Sequence, residues 1–245
     1  MEQLARSRKP PTGAASALGP RAVRPSALVL GVAVALAMVV GVPAAGAGTI
    51  VGRVSVQQKG GRPLVLVEGV LVFLDGVRAA VPTTNVTVEM KDKTFVPHLV
   101  AIPVGSTVRF PNMDRIYHNV FSVSGPNRFD LELYRRPQNR SVSFDYPGIV
   151  RVFCNIHPQM SAIVIVRDNP HFVWTRRDGS FALPGVPPGR YTLKAWYEQA
   201  GETSTEVIVP ADGEVRASLA LDTSRYRPAP HRNKYGRDYT SEEHY

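Results

Sequence analysis

The chain has 245 residues, too long for one small β-sandwich and suited to an exported leader followed by one large or two small domains. It is 44% hydrophobic and 20% charged, with 20 Gly, 21 Pro and few long helix-forming runs, which favours strands and turns over helices. The formal net charge of +9 is partly that of the leader, and with no basic helix and no aromatic-interleaved basic stripe it argues against a nucleic-acid partner.

Taken in chain order, residues 1–47 read as a signal peptide. Arg6, Arg8, Lys9, Arg21 and Arg24 face only Glu2, an uncharged apolar run follows from Ala27 to Val42, and Ala45-Gly46-Ala47 supplies a small-residue cleavage site. An uncleaved anchor is the alternative, but the apolar run falls short of the ~20 residues that span a bilayer. The expected location is the periplasm or the exterior, with no membrane association after cleavage. An exported chain normally uses cysteines in pairs, yet this one holds only Cys154, so that thiol is inert, intermolecularly paired or a metal ligand.

Two strand-like runs, Ile50 to Val56 and Val65 to Leu74, flank the turn-rich stretch Gln57 to Pro63, as a hairpin or a pair of sandwich strands. Gly76 to Asn85 reads as a linker. Short strands are then predicted around Val86 to Met90, Leu99 to Val104, Val108 to Phe110, Val142 to Phe144, Ile149 to Phe153 and Ala162 to Val166. Ser124 to Arg140 is a long polar connection with one edge strand near Phe129 to Leu133. Beyond Asp168, hairpins are predicted at Asp178-Gly179, Pro187-Pro188-Gly189 and Asp212-Gly213. The last residues, 222–245, lack apolar periodicity and are expected to be disordered.

The chemistry is concentrated in Phe153-Cys154-Asn155-Ile156-His157-Pro158-Gln159-Met160, where Cys, His and Met are spaced three apart at a strand end. Finding both residues at those offsets by chance is on the order of 1 in 2000 given the counts of His and Met, so the spacing is a strong signal. A short loop lets thiolate, imidazole and thioether bend around one point, and a distant strand supplies a second imidazole. That strand is the one opened by His118, after Pro111 breaks the preceding alternation. One thiolate and two imidazoles with a long axial Met sulfur suit one copper ion cycling between Cu(I) and Cu(II); zinc would make the same site redox-silent. The expected metal ligands are His118, Cys154, His157 and Met160. Such ligands must be deprotonated, so copper binding is expected to weaken as pH falls.

Other histidines have weaker claims. His98 reads as packed or surface-exposed, with a peripheral metal contact as the alternative, and His171, His231 and His244 as solvated. Met90 and Met113 read as apolar filler.

These residues resemble the cupredoxin family, especially its amicyanin and plastocyanin branch. The resemblance covers roughly Asn85 to Val166 and rests on Phe95-Val96-Pro97, Val104 to Phe110, Asn112, His118-Asn119-Val120, Pro147-Gly148 and the Cys154, His157, Met160 loop, which has amicyanin's length. It implies a Greek-key β-sandwich over 85–167 with mononuclear type 1 copper at one end and His157 near the surface as an electron port. It also implies Asn119 donating a hydrogen bond that steadies the ligand loop, and Phe153 at the start of a longer electron path. The long Ser124 to Arg140 connection and the extra C-terminal unit depart from a minimal cupredoxin.

Residues Trp174 to Leu221, with Thr175 to Phe181 and Leu183 to Tyr191, resemble the carboxypeptidase regulatory-like, transthyretin-like β domain. The opening of that pattern stands earlier, at Gly52-Arg53-Val54, Gly61 to Leu64 and Val70 to Leu74. The expectation is a nested all-β chain: 49–76 and 168–221 form one small sandwich, into which the copper domain is inserted. The layout also resembles periplasmic methylamine-utilisation proteins. The expected role is a periplasmic one-electron carrier serving a redox partner protein, a dehydrogenase or cytochrome; a copper-trafficking or storage protein, or a non-redox scaffold, is the alternative. No H-E-x-x-H, G-x-S-x-G or phosphate loop points to an enzyme.

Overall fold

The computed structural model describes residues 46–77, 79–228 and 231–239. The expected signal peptide therefore lies almost wholly outside the described residues. Among those residues no helix is long and apolar enough to cross a membrane.

The chain opens with β1 (Gly48–Gln57) and β2 (Leu71–Asp75), which do not pair with each other. Next come β3 (Asn85–Thr87), β4 (Glu89–Lys91), β5 (Thr94–Val96), β6 (Leu99–Pro103), β7 (Ser106–Pro111) and β8 (His118–Ser122). They are followed by β9 (Phe129–Tyr134), β10 (Asn139–Phe144), β11 (Gly148–Phe153) and β12 (Ser161–Arg167). The last five are β13 (Phe172–Trp174), β14 (Ser180–Val186), β15 (Gly189–Tyr197), β16 (Gly201–Val209) and β17 (Glu214–Asp222). The fold is all-β, as its β-branched, aromatic and Gly/Pro-punctuated sequence requires.

Two sheets face each other in the middle of the chain, β10-β7-β3 and β6-β12-β11-β8-β9. Their inward residues, among them Ile102, Val108, Phe110, Val120, Phe144, Val152 and Val164, form one core. The other pair is β14-β1-β17 and β13-β2-β15-β16, closing around Ile50, Val54, Val72, Leu74, Leu183, Leu193, Val207 and Leu219. β1 lies centrally, antiparallel to β14 and parallel to β17. A Cβ on Gly52 would meet the Ala217 carbonyl oxygen at 2.0 Å, so only glycine lets the strands approach there.

Strands β2 and β12 are buried on both faces and read as unbroken apolar runs, the signature of a strand covered twice. Val72 and Leu74 point into one core while Leu71 and Phe73 point away; Ala162, Val164 and Val166 point into the other core while Ile163 and Ile165 point away. The outward residues meet Trp196 in a third cluster, joined by Leu99, Ala101, Phe172 and Trp174. At its margin Arg167 lies over the Phe73 ring at 3.8 Å and bonds Asp75 at 2.9 Å, and Lys194 reaches Asp75 at 2.5 Å.

Burial works to raise the Asp75 pKa, but hydrogen bonds and charge from Lys194 and Arg167 outweigh it and hold the carboxyl below its ordinary 3.8. A depressed carboxylate contributes stability that is present above the unfolded value and lost as pH falls through the folded one. Asp75→Asn is therefore expected to destabilise the protein at pH 7 by about 1 kcal/mol, after allowance for solvent screening. The difference from wild type should shrink as pH is lowered from 5 through 3. Denaturant midpoints across that range measure it, and a difference independent of pH would exclude the ion pair as its source.

Several local expectations are corrected. The predicted strand from Val65 shrinks to Leu71–Asp75, because Gly69 takes a left-handed turn (φ 75°) and Val65 and Leu66 are 86% and 56% exposed. The turns at Asp178-Gly179, Pro187-Pro188-Gly189 and Asp212-Gly213 do not close hairpins. Each carries the chain from one sheet to the other, and in this region only β15 and β16 form a hairpin. His171 is buried rather than solvated, its amide bonded to Asn169 Oδ1 and its carbonyl to the Leu74 amide. Met90 is fully buried, but Met113 is 46% exposed and fills no core.

The expectation of a disordered tail is also corrected for the described part. Tyr226 closes a turn on Thr223, and residues 231–239 lie against the end of the middle sandwich. Aromatic stacking and side-chain hydrogen bonds order a segment that has no apolar periodicity to reveal it.

Candidate metal centre

Three donors converge at one end of the middle sandwich. His118 opens β8 and is fully buried; Cys154 directly follows β11 and is fully buried; His157 stands three residues on and is 6% exposed. His118 Nδ1, Cys154 Sγ and His157 Nδ1 lie within 4.8 Å of one another. The two Nδ1 atoms are 3.1 Å apart, and Sγ is 3.6 Å from His157 Nδ1. Met160, also fully buried, ends the loop. Its carbonyl accepts the Cys154 amide at 3.2 Å and its amide donates to the His157 carbonyl at 3.0 Å, which folds residues 154–160 into a tight loop.

The orientation of His118 is set from behind. Its Nε2 donates to Asp114 Oδ2 at 2.8 Å, which fixes the tautomer and leaves the Nδ1 lone pair facing His157. Asp114 is held in turn by the amides of Asp92 (2.9 Å) and Lys93 (3.0 Å), neighbours in the β4–β5 turn that both adopt left-handed backbone (φ 54° and 55°). Those bonds and His118 outweigh burial and hold the Asp114 carboxyl below its usual range. Asn112, buried behind the loop, receives the Asp114 amide and donates to the carbonyls of Ile116 and Tyr134. Sequence reasoning missed Asp114. A carboxylate four residues before the isolated-strand histidine was the available signal, but the amides that confirm its role come from a turn distant in sequence.

Burial pushes the Cys154 thiol pKa up, against the amides of Asn119, Ile156 and His157, which favour the thiolate. Burial first, then the neighbouring His118, lowers His157 to about 4, and burial lowers His118 although Asp114 opposes it. Both imidazoles are thus neutral near pH 7, the state in which imidazole binds a metal. The His118 Nδ1 lone pair, the His157 imidazole 3.1 Å from it and a buried thiol make a donor set that suits a soft or borderline cation, whose charge would displace the thiol proton.

No family model matches the chain. Amicyanin-alpha of Methylorubrum extorquens is 34% identical over 96 residues, which cover 38% of this chain and 80% of that protein. This chain belongs to the amicyanin family. Among solved structures, it is similar to a copper-containing nitrite reductase from Thermus scotoductus at 30% identity and TM-score 0.34, over 38% of this chain and only 24% of the reductase. A purple cupredoxin from Nitrosopumilus maritimus aligns at 21% identity and TM-score 0.30, over 34% of this chain and 99% of the other.

In this amicyanin relative the remaining site residues take different parts. The Asn119 backbone amide faces the Cys154 sulfur, but its side-chain amide donates to Asp130 Oδ1 at 2.7 Å rather than to the ligand loop. Phe153 lies against Phe121 and stacks on His231, ring centroids 4.2 Å apart, so His231 is not solvated as expected. His98 is set apart from the donors: its ring bonds the Ser161 carbonyl and Glu198 Oε2, each at 2.9 Å, tying β12 to the β15–β16 turn. His244 lies outside the described residues.

Proposed function

We propose that the chain is a type 1 copper protein carrying one electron at a time, with His118, Cys154, His157 and Met160 as the ligands. The observation that carries this reading is the convergence of two imidazole Nδ1 atoms and one thiol sulfur within 4.8 Å. Copper held there supplies Cu(I)/Cu(II) chemistry, in which one electron enters or leaves and no bond to a substrate is made. Cys154 would give up its proton on binding and provide the soft thiolate contact. Asp114 holds the proton on His118 Nε2 and so keeps Nδ1 free in both oxidation states. The buried setting excludes water and limits rearrangement between them. Four protein donors leave no open position, which favours a carrier over an enzyme.

The organisation we propose is nested: 49–76 and 168–221 form a carboxypeptidase regulatory-like sandwich, and 85–167 the inserted copper domain. The pairing of β1 with β14 and β17, and of β2 with β13 and β15, supports this. The leader, residues 1–47, would export the protein to the periplasm, where its partner is a redox protein such as a dehydrogenase or cytochrome. The test is absorbance and voltammetry of the copper-loaded protein. The expected result is an intense thiolate-to-copper band in the red and a reversible one-electron wave. A colourless Cu(II) form, or rapid loss of copper to a chelator, would instead assign the protein to copper trafficking.

A further inference from the structure

Residues 231–239 follow the last strand by several positions and lie beyond the segment that resembles cupredoxins, yet they sit on the ligand loop. We infer that this segment is a strap that positions the Cys154 loop from outside, its key positioning residues being His231 and Tyr239. The inference rests on the copper reading above.

The strap builds its own turn. Buried Asn233 accepts the amides of Tyr235 and Arg237 through Oδ1, each at 3.0 Å, and its own amide donates to the Arg237 carbonyl at 2.9 Å. Gly236, with φ 76°, closes the turn by donating to the Asn233 carbonyl at 2.9 Å. The turn holds its flanking residues against three successive positions, Phe153 at the end of β11 and Cys154 and Asn155 of the metal loop. The His231 ring stacks on Phe153 with an interplanar angle of 20°. Tyr239 donates its hydroxyl proton to the Cys154 carbonyl at 2.8 Å and stands edge-on to His231, its oxygen 3.2 Å from Nδ1. The Lys234 amide donates to Asn155 Oδ1 at 2.8 Å.

The same strap reaches the other side of the sulfur. Lys234 Nζ pairs with Asp130 at 2.6 Å and Glu132 at 3.2 Å, and Asp130 receives the Asn119 side chain, whose backbone amide faces Cys154. The strap thus fixes the peptide on each side of the ligand cysteine and the strand that supplies His118. From within, the loop is closed by two backbone bonds between Cys154, His157 and Met160 and by the Ile156 and His157 amides that face the Cys154 sulfur. Outer partners that orient ligands typically change metal affinity 10- to 100-fold when removed.

The experiment uses the full-length protein with Tyr239→Phe, His231→Ala and the double variant, and Tyr235→Phe as a tail control, since Tyr235 is 71% exposed. Two quantities are read: copper release to a chelator, and amide hydrogen exchange of residues 154–160 in the metal-free protein. Tyr239→Phe and His231→Ala are each expected to speed release about tenfold and the double variant up to about 100-fold. Loop exchange should rise in each, with exchange in β1 and β17 unchanged and Tyr235→Phe like wild type. Loop exchange and release equal to wild type in the double variant would overturn the strap. Faster exchange everywhere in the double variant would mean general unfolding, and Tyr239→Phe, which loses one hydroxyl, then decides. A wild type that binds no copper would refute the copper reading alone, because exchange in the metal-free protein still judges the strap.

Discussion

Cys154→Ser is expected to abolish the red absorption band and the one-electron wave. It should also lower copper affinity well beyond the 10- to 100-fold typical of losing an outer partner. Serine is close in size, but its hydroxyl is a hard, weakly acidic donor that cannot replace a thiolate on a soft cation. Cys154 is fully buried and stands beside the imidazoles of His118 and His157. The metal-free variant should lose about 1–3 kcal/mol of stability, because a hydroxyl is then buried where a thiol was. Metal titration followed by absorption, with denaturation of the metal-free form, separates the two effects. A variant that kept the band would remove Cys154 from the site, and with it the proposed electron carrier.

Trp196→Ala should give the largest loss of stability among single substitutions away from the metal centre, about 3–5 kcal/mol. For a chain of this size that lowers Tm on the order of 10 °C. Trp196 is 4% exposed and packs with Leu71, Phe73, Ile163 and Ile165, residues of β2 and β12 that have turned their backs on their own cores. Removing the indole leaves a cavity between two sheets that cannot collapse without moving both. Calorimetry of the wild type and the variant measures the effect. A loss below 1 kcal/mol would mean that the third cluster contributes little and that the two sandwiches are stabilised separately.

The proposed ligand loop was legible because its pattern is local: Cys154, His157 and Met160 stand at offsets of three directly after a strand, and the fold sets the Cys154 sulfur 3.6 Å from His157 Nδ1. His118 was legible more indirectly, as the residue at which alternation resumes after Pro111. Asp114 was not, because its meaning depends on two amides in the β4–β5 turn. The tail was misread for a related reason. His231, Lys234 and Tyr239 bury little apolar surface in sequence and acquire their role from Phe153, Cys154 and Asn155, which only folding brings within reach.

Alternation and composition by themselves determined an all-β chain, most of its strands, and the one place where thiol and imidazole chemistry is concentrated. Neither β2 nor β12 alternates, but their burial on both faces was not read from the sequence. Tertiary structure alone decided what covers those second faces, which turns cross between sheets instead of closing hairpins, and which residues hold the histidine and the cysteine loop in place. The reason is physical: periodicity records how a residue faces its own element, whereas a shared core and a hydrogen bond between distant segments depend on partners that sequence separation conceals.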